Sequence, residues 1–204
     1  MKPALDLLLL DFDGVLAHYE RPLRCAHLAR STGSTPGRVT DVLFESGLEL
    51  AYDSGEVTTA VYLRRLSEGL GALVDEQTWI AARVAACDID ARVQELVQQV
   101  AARMPVAVLT NNGPLMAEAV PLIVPALADL LHGRVLCSGA LGGRKPQTQV
   151  YARALARLNA RAATTLFVDD LFINVRGARA AGLHADTVTG AASMRRVFRR
   201  FGLA

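Results

Sequence analysis

Leu5-Asp6-Leu7-Leu8-Leu9-Leu10-Asp11-Phe12-Asp13-Gly14 is a short, nearly continuous apolar run that ends abruptly in acidic residues. A strand with one face in water alternates apolar and polar residues. A run without that alternation fits a strand covered on both faces, as in a parallel sheet flanked by helices. Runs of the same kind recur at 106–110, 134–137 and 166–168, and more weakly at 184–188. Between them, apolar residues fall at helical spacing over 93–102, 115–131, 148–158, 175–181 and 192–201. Strands alternating with helices predict an α/β fold with a doubly wound, mainly parallel sheet.

The interval 17–89 breaks the alternation. It holds helical patterns near 23–31, 38–48, 58–68 and 76–86, with no convincing strand. Thr35 followed by Pro36 is a helix start, and Asp75 is placed to cap the helix that carries Trp79. The expected organisation is therefore an α/β core of residues 1–16 plus 95–204, with a small all-helical insertion, 17–94, after the first strand.

Composition narrows the partners. With 204 residues, 51% hydrophobic and 21% charged, the chain can bury one sizeable core, and a net charge of +2 does not call for a polyanion. Arg195, Arg196, Arg199 and Arg200 surround Met194, Val197, Phe198 and Phe201 at helical spacing. They read as the solvated face of a terminal amphipathic helix, so neither nucleic acid nor membrane is expected as a partner. Cys25, Cys87 and Cys137 are odd in number and far apart, the pattern of reduced thiols. Lys2 precedes the first apolar run, but Asp6 and Asp11 leave only Leu7 to Leu10 uninterrupted, too short for a secretory signal. No stretch approaches the roughly 18 apolar residues of a membrane helix, and a cytoplasmic location is expected.

In parallel α/β sheets, ligands collect outside the carboxyl ends of the strands. The residues found there are Asp11 and Asp13 after the first run, Thr110, Asn111 and Asn112 after the second, and Asp169 and Asp170 after the fourth; Lys145 follows the third, before a helix. Carboxylates gathered in one cleft repel each other by about 4 kcal/mol per pair at 4 Å and an effective dielectric of 20, so positive charge must sit among them. Oxygen donors without histidine or cysteine favour a hard cation, and Mg²⁺ typically takes one or two carboxylates plus phosphate oxygens. Such a cation and Lys145 would let a phosphate dianion approach a carboxylate nucleophile.

Asp11-Phe12-Asp13-Gly14-Val15, Leu109-Thr110-Asn111, Lys145-Pro146 and Phe167-Val168-Asp169-Asp170 resemble, in order and spacing, the four motifs of the haloacid dehalogenase superfamily. Arg144-Lys145-Pro146 and the segment 168–175 resemble the branch with bacterial sugar-phosphate phosphatases and the phosphatase domain of soluble epoxide hydrolase. The resemblance implies a Rossmann-like core and a Mg²⁺-dependent phosphomonoester hydrolase. Asp11 would be the nucleophile, forming an aspartyl-phosphate, and Asp13 the acid and base. Mg²⁺ would be held by Asp11, the Asp13 carbonyl and Asp170, with Asp169 bound directly or through water. The Thr110 hydroxyl and Asn111 amide would hold phosphoryl oxygens, Lys145 would neutralise nucleophile and phosphate, and Asn174 would support the acidic loop. Dehalogenases of this kind lack a carboxylate at the position of Asp13, which argues against dehalogenation here. A phosphomutase with the same motifs, or a phospho-accepting regulatory protein without turnover, remain the alternatives. A small phosphorylated substrate such as a sugar phosphate is expected, with His18, Tyr19, Arg21, Arg24, Glu45, Tyr52 and Arg64 as candidates to select it.

Overall fold

The chain enters the fold as β1 (Leu7–Leu10) and a two-residue strand β2 (His18–Tyr19). It then passes through α1 (Arg21–Thr32), α2 (Pro36–Thr40), α3 (Leu48–Asp53), α4 (Thr59–Leu70) and α5 (Glu76–Ala85) before β3 (Cys87–Asp88) pairs antiparallel with β2. From there α6 (Ala91–Ala101), β4 (Val106–Thr110), α7 (Met116–Ile123), α8 (Ala128–Leu131), β5 (Val135–Cys137) and α9 (Ser138–Leu141) follow. The chain finishes with α10 (Thr148–Arg157), β6 (Thr165–Asp169), α11 (Phe172–Ala180), β7 (His184–Thr187) and α12 (Ala191–Phe201). This computed structural model describes residues 3–203; Lys2, invoked above as the flank of the first apolar run, lies outside the described residues.

Five strands form one parallel sheet in the order β5-β4-β1-β6-β7. The opening apolar run is thus the central strand, and its lack of alternation has a direct cause. Leu8 and Leu10 point into one hydrophobic cluster with Val106, Val108, Leu166 and Val168. Leu7 and Leu9 point into the other, with Ala107, Leu109 and Phe167. Helices cover both faces, so both side-chain sets of each inner strand must be apolar. The doubly wound α/β architecture is as expected, and among the described residues no helix is long and apolar enough to cross a membrane.

The helical interval differs from its sequence reading in detail. The pattern at 38–48 is not one helix: α2 widens into a π-helical turn over Asp41–Glu45, stops at Gly47 with φ 75°, and restarts as α3. The pattern at 115–131 is divided by Pro125, which has no N–H to donate and holds Val124 out of helical geometry at φ −119° and ψ 64°. Two strands, β2 and β3, occur where none was expected; two residues each are too few to show periodicity. Thr35 and Asp75 do cap their helices, accepting from Arg38 N at 3.2 Å and Thr78 N at 2.8 Å. The boundary drawn at residue 95 falls inside α6, which begins at Ala91 after its cap Asp90.

One packing contact fixes the segment around Lys145. A Cβ on Gly177 of α11 would sit 2.3 Å from the Pro146 carbonyl oxygen. Ala at a helix interior is favoured over Gly by about 1 kcal/mol, whereas overpacking against backbone costs about 1–3 kcal/mol. The clash is with main chain, which cannot rotate away. Gly177→Ala is therefore expected to destabilise the fold by about 1–2 kcal/mol despite its higher helix propensity, read from urea unfolding; a stabilised variant would show that α11 and residue 146 are not in contact.

Candidate active site

The register of the sheet decides which acidic residues meet. Leu10 pairs with Val168, so one residue further on Asp11 stands beside Asp169, and the Asp11 N–H still donates to the Val168 carbonyl at 2.8 Å. Carboxylate oxygens of Asp11, Asp169 and Asp170 all lie within 4.8 Å of one another. Gly14, at φ +84°, makes room for this: a Cβ there would lie 2.4 Å from an Asp170 oxygen.

Lys145 supplies the local positive charge. Its side chain is fully buried, with Nζ 2.8 Å from Asp11 Oδ1 and 2.7 Å from Asp169 Oδ2. One ammonium against three carboxylates leaves the site short of positive charge. Burial holds the Asp11 carboxyl well above the usual carboxylate range; Lys145 opposes this and Asp169 adds to it. Asp170 is raised as well, by burial and then by Asp169. An all-oxygen cluster with this deficit fits a hard divalent cation.

The carboxylates differ in what they have left to offer. Asp169 is saturated: Oδ1 accepts from Leu171 N at 2.8 Å and from Asn174 Nδ2 at 3.0 Å, and Oδ2 accepts from Lys145 and from Asn174 at 3.1 Å. Asp11 Oδ1 accepts from its neighbour Phe12 N at 2.7 Å as well as facing Lys145 Nζ at 2.8 Å.

Residues after β4 complete the cleft. Asn111 exchanges two hydrogen bonds with the Lys145 main chain, donating from Nδ2 at 3.0 Å and accepting at 2.8 Å. Its side-chain oxygen and one of its two amide hydrogens thus brace Lys145, and the second amide hydrogen is left for another acceptor. Asn112 donates to Thr110 Oγ1 at 2.7 Å and to Asp13 Oδ2 at 2.9 Å, which leaves the Thr110 hydroxyl hydrogen to donate elsewhere. Asp13 is also gripped by Arg83 Nη2, at 2.8 and 3.0 Å to its two oxygens. Arg83 comes from α5 and is almost completely buried. Sequence reasoning missed it, although a signal existed: Trp79, Ala82, Arg83 and Ala86 share one buried helical stripe, and an arginine there needs an anionic partner.

A cleft of about 370 Å³ opens over Asp11, Asp13, Thr110, Asn111 and Asp170, with His18 on its rim. A second cavity of about 380 Å³, between this cleft and the helical segment, shares Asp13, Tyr19, Asn111, Asn112 and Arg144 with it and is also lined by Arg21, Arg24 and Glu45. Two of the predicted selectors lie elsewhere. Arg64 projects into solvent 3.8 Å from Glu68. Tyr52 is buried, stacked on Tyr62 at 4.1 Å, with its hydroxyl accepting from Leu115 N at 3.1 Å.

The sequence profile described as haloacid dehalogenase-like hydrolase matches residues 5–182. The chain belongs to this family. A stretch of 80 residues is 39% identical to a phosphatase of Mycobacterium tuberculosis, covering 39% of this chain and 36% of that protein, so the match spans about a third of the relative's length. Among solved structures, a predicted HAD-like family hydrolase of Porphyromonas gingivalis superposes with a TM-score of 0.76 at 22% identity, over 96% of this chain and 97% of that one. A HAD family enzyme of Bacteroides thetaiotaomicron, in complex with magnesium and inorganic phosphate, gives 0.72 at 18% identity over 92% and 96%. A 2-haloacid dehalogenase of Pseudomonas syringae gives 0.64 at 18% over 97% and 99%. At these identities the structural likeness concerns the fold.

In this haloacid dehalogenase-like hydrolase, removing Lys145 alone leaves two buried carboxylates unpaired. Lys145→Met is expected to cost about 3–5 kcal/mol in metal-free buffer at neutral pH. The deficit should shrink as pH falls, because the folded state then takes up protons that the unfolded chain has lost; urea unfolding at pH 7 and pH 5 checks both.

Asp53 of α3 ties the helical segment to the loop after β4, accepting from Gly113 N at 2.8 Å. Burial, and next the nearby Glu49, push its carboxyl up to about 8. A folded-state value above the unfolded one means that stability falls as pH rises from about 4 to 8, where only the folded state keeps the proton. Asp53→Asn retains an acceptor for Gly113 and removes this titration. Its stability should rise relative to the parent protein over pH 5–8, by at most about 1.4 kcal/mol per pH unit; parallel urea midpoints across that range would contradict the assignment.

Proposed function

We propose that this hydrolase is a Mg²⁺-dependent phosphomonoesterase acting through an aspartyl-phosphate on a small phosphorylated metabolite, such as a sugar phosphate. The observation that carries this reading is the juxtaposition of the Asp11, Asp169 and Asp170 carboxylates with the buried Lys145, beside an Asp13 that a metal-free dehalogenase would not need.

Asp11, Asp170 and the main-chain carbonyl of Asp13 would hold Mg²⁺, which when bound supplies the positive charge that one lysine cannot. Asp169, whose oxygens are taken by Lys145, Asn174 and Leu171 N, supports the site from behind. Asp11 attacks phosphorus through a carboxylate oxygen, and the P–O bond to the leaving group breaks. Asp13 gives a proton to the departing oxygen and then takes one from the water that cleaves the aspartyl-phosphate, returning Asp11 and releasing phosphate. Thr110 donates its hydroxyl hydrogen to a phosphoryl oxygen while Asn112 holds its Oγ1. Asn111 contributes through its main-chain N–H and by bracing Lys145. Arg83 and Asn112 orient Asp13.

In this reading residues from β2 through β3, 18–88, form a cap over the core, and β2 paired with β3 is the double connection between them. The cap would close off the cleft and select a substrate small enough for the two adjoining cavities.

A phosphate-release screen over a metabolite panel tests the proposal. Turnover is expected with Mg²⁺ and is expected to vanish with a chelator. Asp11→Asn should lower kcat at least about 10³-fold with the fold intact by circular dichroism, and Asp13→Asn should nearly match it. Turnover indifferent to metal, or unimpaired in Asp11→Asn, would overturn the mechanism, and isomerisation without phosphate release would identify a phosphomutase.

A further inference from the structure

Four arginines, Arg21, Arg24, Arg83 and Arg144, line the cavity between the cleft and the helical segment. Two are committed. Arg24 pairs with Glu49, which also accepts from Tyr62, and Arg83 pairs with Asp13. Among the described residues, neither Arg21 nor Arg144 has a carboxylate within ion-pair distance.

Arg144 is the more constrained of the two. It is half-buried, and among the described residues its Nε is enclosed without a partner and its side chain makes no hydrogen bond. Its backbone is braced, with its N–H donating to Gln147 Oε1 at 3.2 Å and the next residue held by Asn111. The side chain lies where cleft and cavity meet, lining both. Arg21 stands on the outer wall with its guanidinium 4.0 Å over the Phe44 ring, which fixes its direction.

The acidic groups facing this cavity do not neutralise the pair. Glu49 is occupied by Arg24, Asp13 by Arg83, and Asp53 keeps its proton at neutral pH because burial and Glu49 push it up to about 8. Glu45 alone remains, exposed at the rim. A half-buried guanidinium that lines a cavity with no carboxylate within ion-pair distance favours an anion there, whose charge-assisted hydrogen bonds are stronger than those of a neutral hydroxyl.

We propose that the substrate is a phosphomonoester whose organic part carries a second anionic group, a carboxylate or a further phosphate, received by Arg144 with Arg21 lining the same cavity. This rests on the phosphatase reading and narrows it: a sugar phosphate bearing hydroxyls alone would leave Arg144 without a counter-charge.

Non-hydrolysable phosphonates test the proposal by calorimetry in the presence of Mg²⁺. Propylphosphonate carries one anionic end, 3-phosphonopropionate adds a carboxylate, and propane-1,3-bisphosphonate adds a second phosphate-like group. At least one doubly anionic probe is expected to bind about tenfold tighter than propylphosphonate, the scale of one charge-assisted hydrogen bond, and the tighter of the two names the group. Arg144→Gln should bring that ratio close to one, with Arg144→Lys restoring part of it. Equal affinities in the parent protein, or an unchanged ratio in Arg144→Gln, would overturn the proposal. The ratio is read without turnover, so a protein that released no phosphate from any ester would refute the phosphatase reading while the anion preference was still scored on its own.

Discussion

Too many negative charges meet at the ends of two neighbouring strands, and the local structure answers that constraint. The register of β1 and β6 sets Asp11 beside Asp169, with Asp170 next in the chain. Among the described residues, the cation buried among them is Lys145. In a low-dielectric setting this is costly, and the surrounding groups show how the cost is reduced. Asn174 and the Leu171 N–H fill the remaining lone pairs of Asp169. Asn111 clamps the main chain of Lys145. The absence of a side chain at Gly14 lets Asp170 come close. What these contacts leave is a deficit of positive charge directed at the cleft, the condition under which a divalent cation and a phosphate dianion bind together.

A second charge balance runs through the helical segment. Asp13 is held by Arg83 from α5, Asp53 of α3 takes the Gly113 N–H, and Ser138 donates to the Asp53 carbonyl at 2.6 Å. Inside that segment, Arg24, Glu49, Tyr62 and Trp79 form a buried polar chain, with Trp79 Nε1 donating to the Tyr62 hydroxyl at 2.9 Å. Among the described residues, the buried cations of this half, Arg24 and Arg83, each have a carboxylate partner, whereas Arg21 and Arg144 on the shared cavity have none. The unmatched arginines face the space where the organic part of a substrate would lie, so the same bookkeeping of charge links the reaction centre to substrate choice.

Much of this was legible in the sequence. Apolar runs without alternation mark strands covered on both faces, and the acidic, hydroxyl and amide residues that follow them occupy the end of the sheet where ligands gather. Asp11, Asp13, Thr110, Asn111, Asp169 and Asp170 could be placed around one cleft by that rule, with Lys145 beneath it. The helix caps at Thr35 and Asp75 were equally plain, because a cap is a contact with a residue three positions away. The breaks at Gly47 and Pro125 lay inside continuous helical patterns, where periodicity outweighed the local chemistry of glycine and proline.

The sequence by itself determined the order of strands and helices and the cluster of groups at the strand ends, because each depends on side chains within a few residues of one another. Only the tertiary structure decided which of those groups are still free to act. Asn111 proved to be engaged with Lys145, Asp169 saturated, Arg64 in solvent, and Arg83 bound to Asp13 across 70 positions of sequence. Hydrogen-bonding capacity is finite, and a partner brought from a distant helix uses it as fully as a neighbour does. Which oxygen, amide or guanidinium remains for a substrate is therefore settled by packing rather than by local pattern.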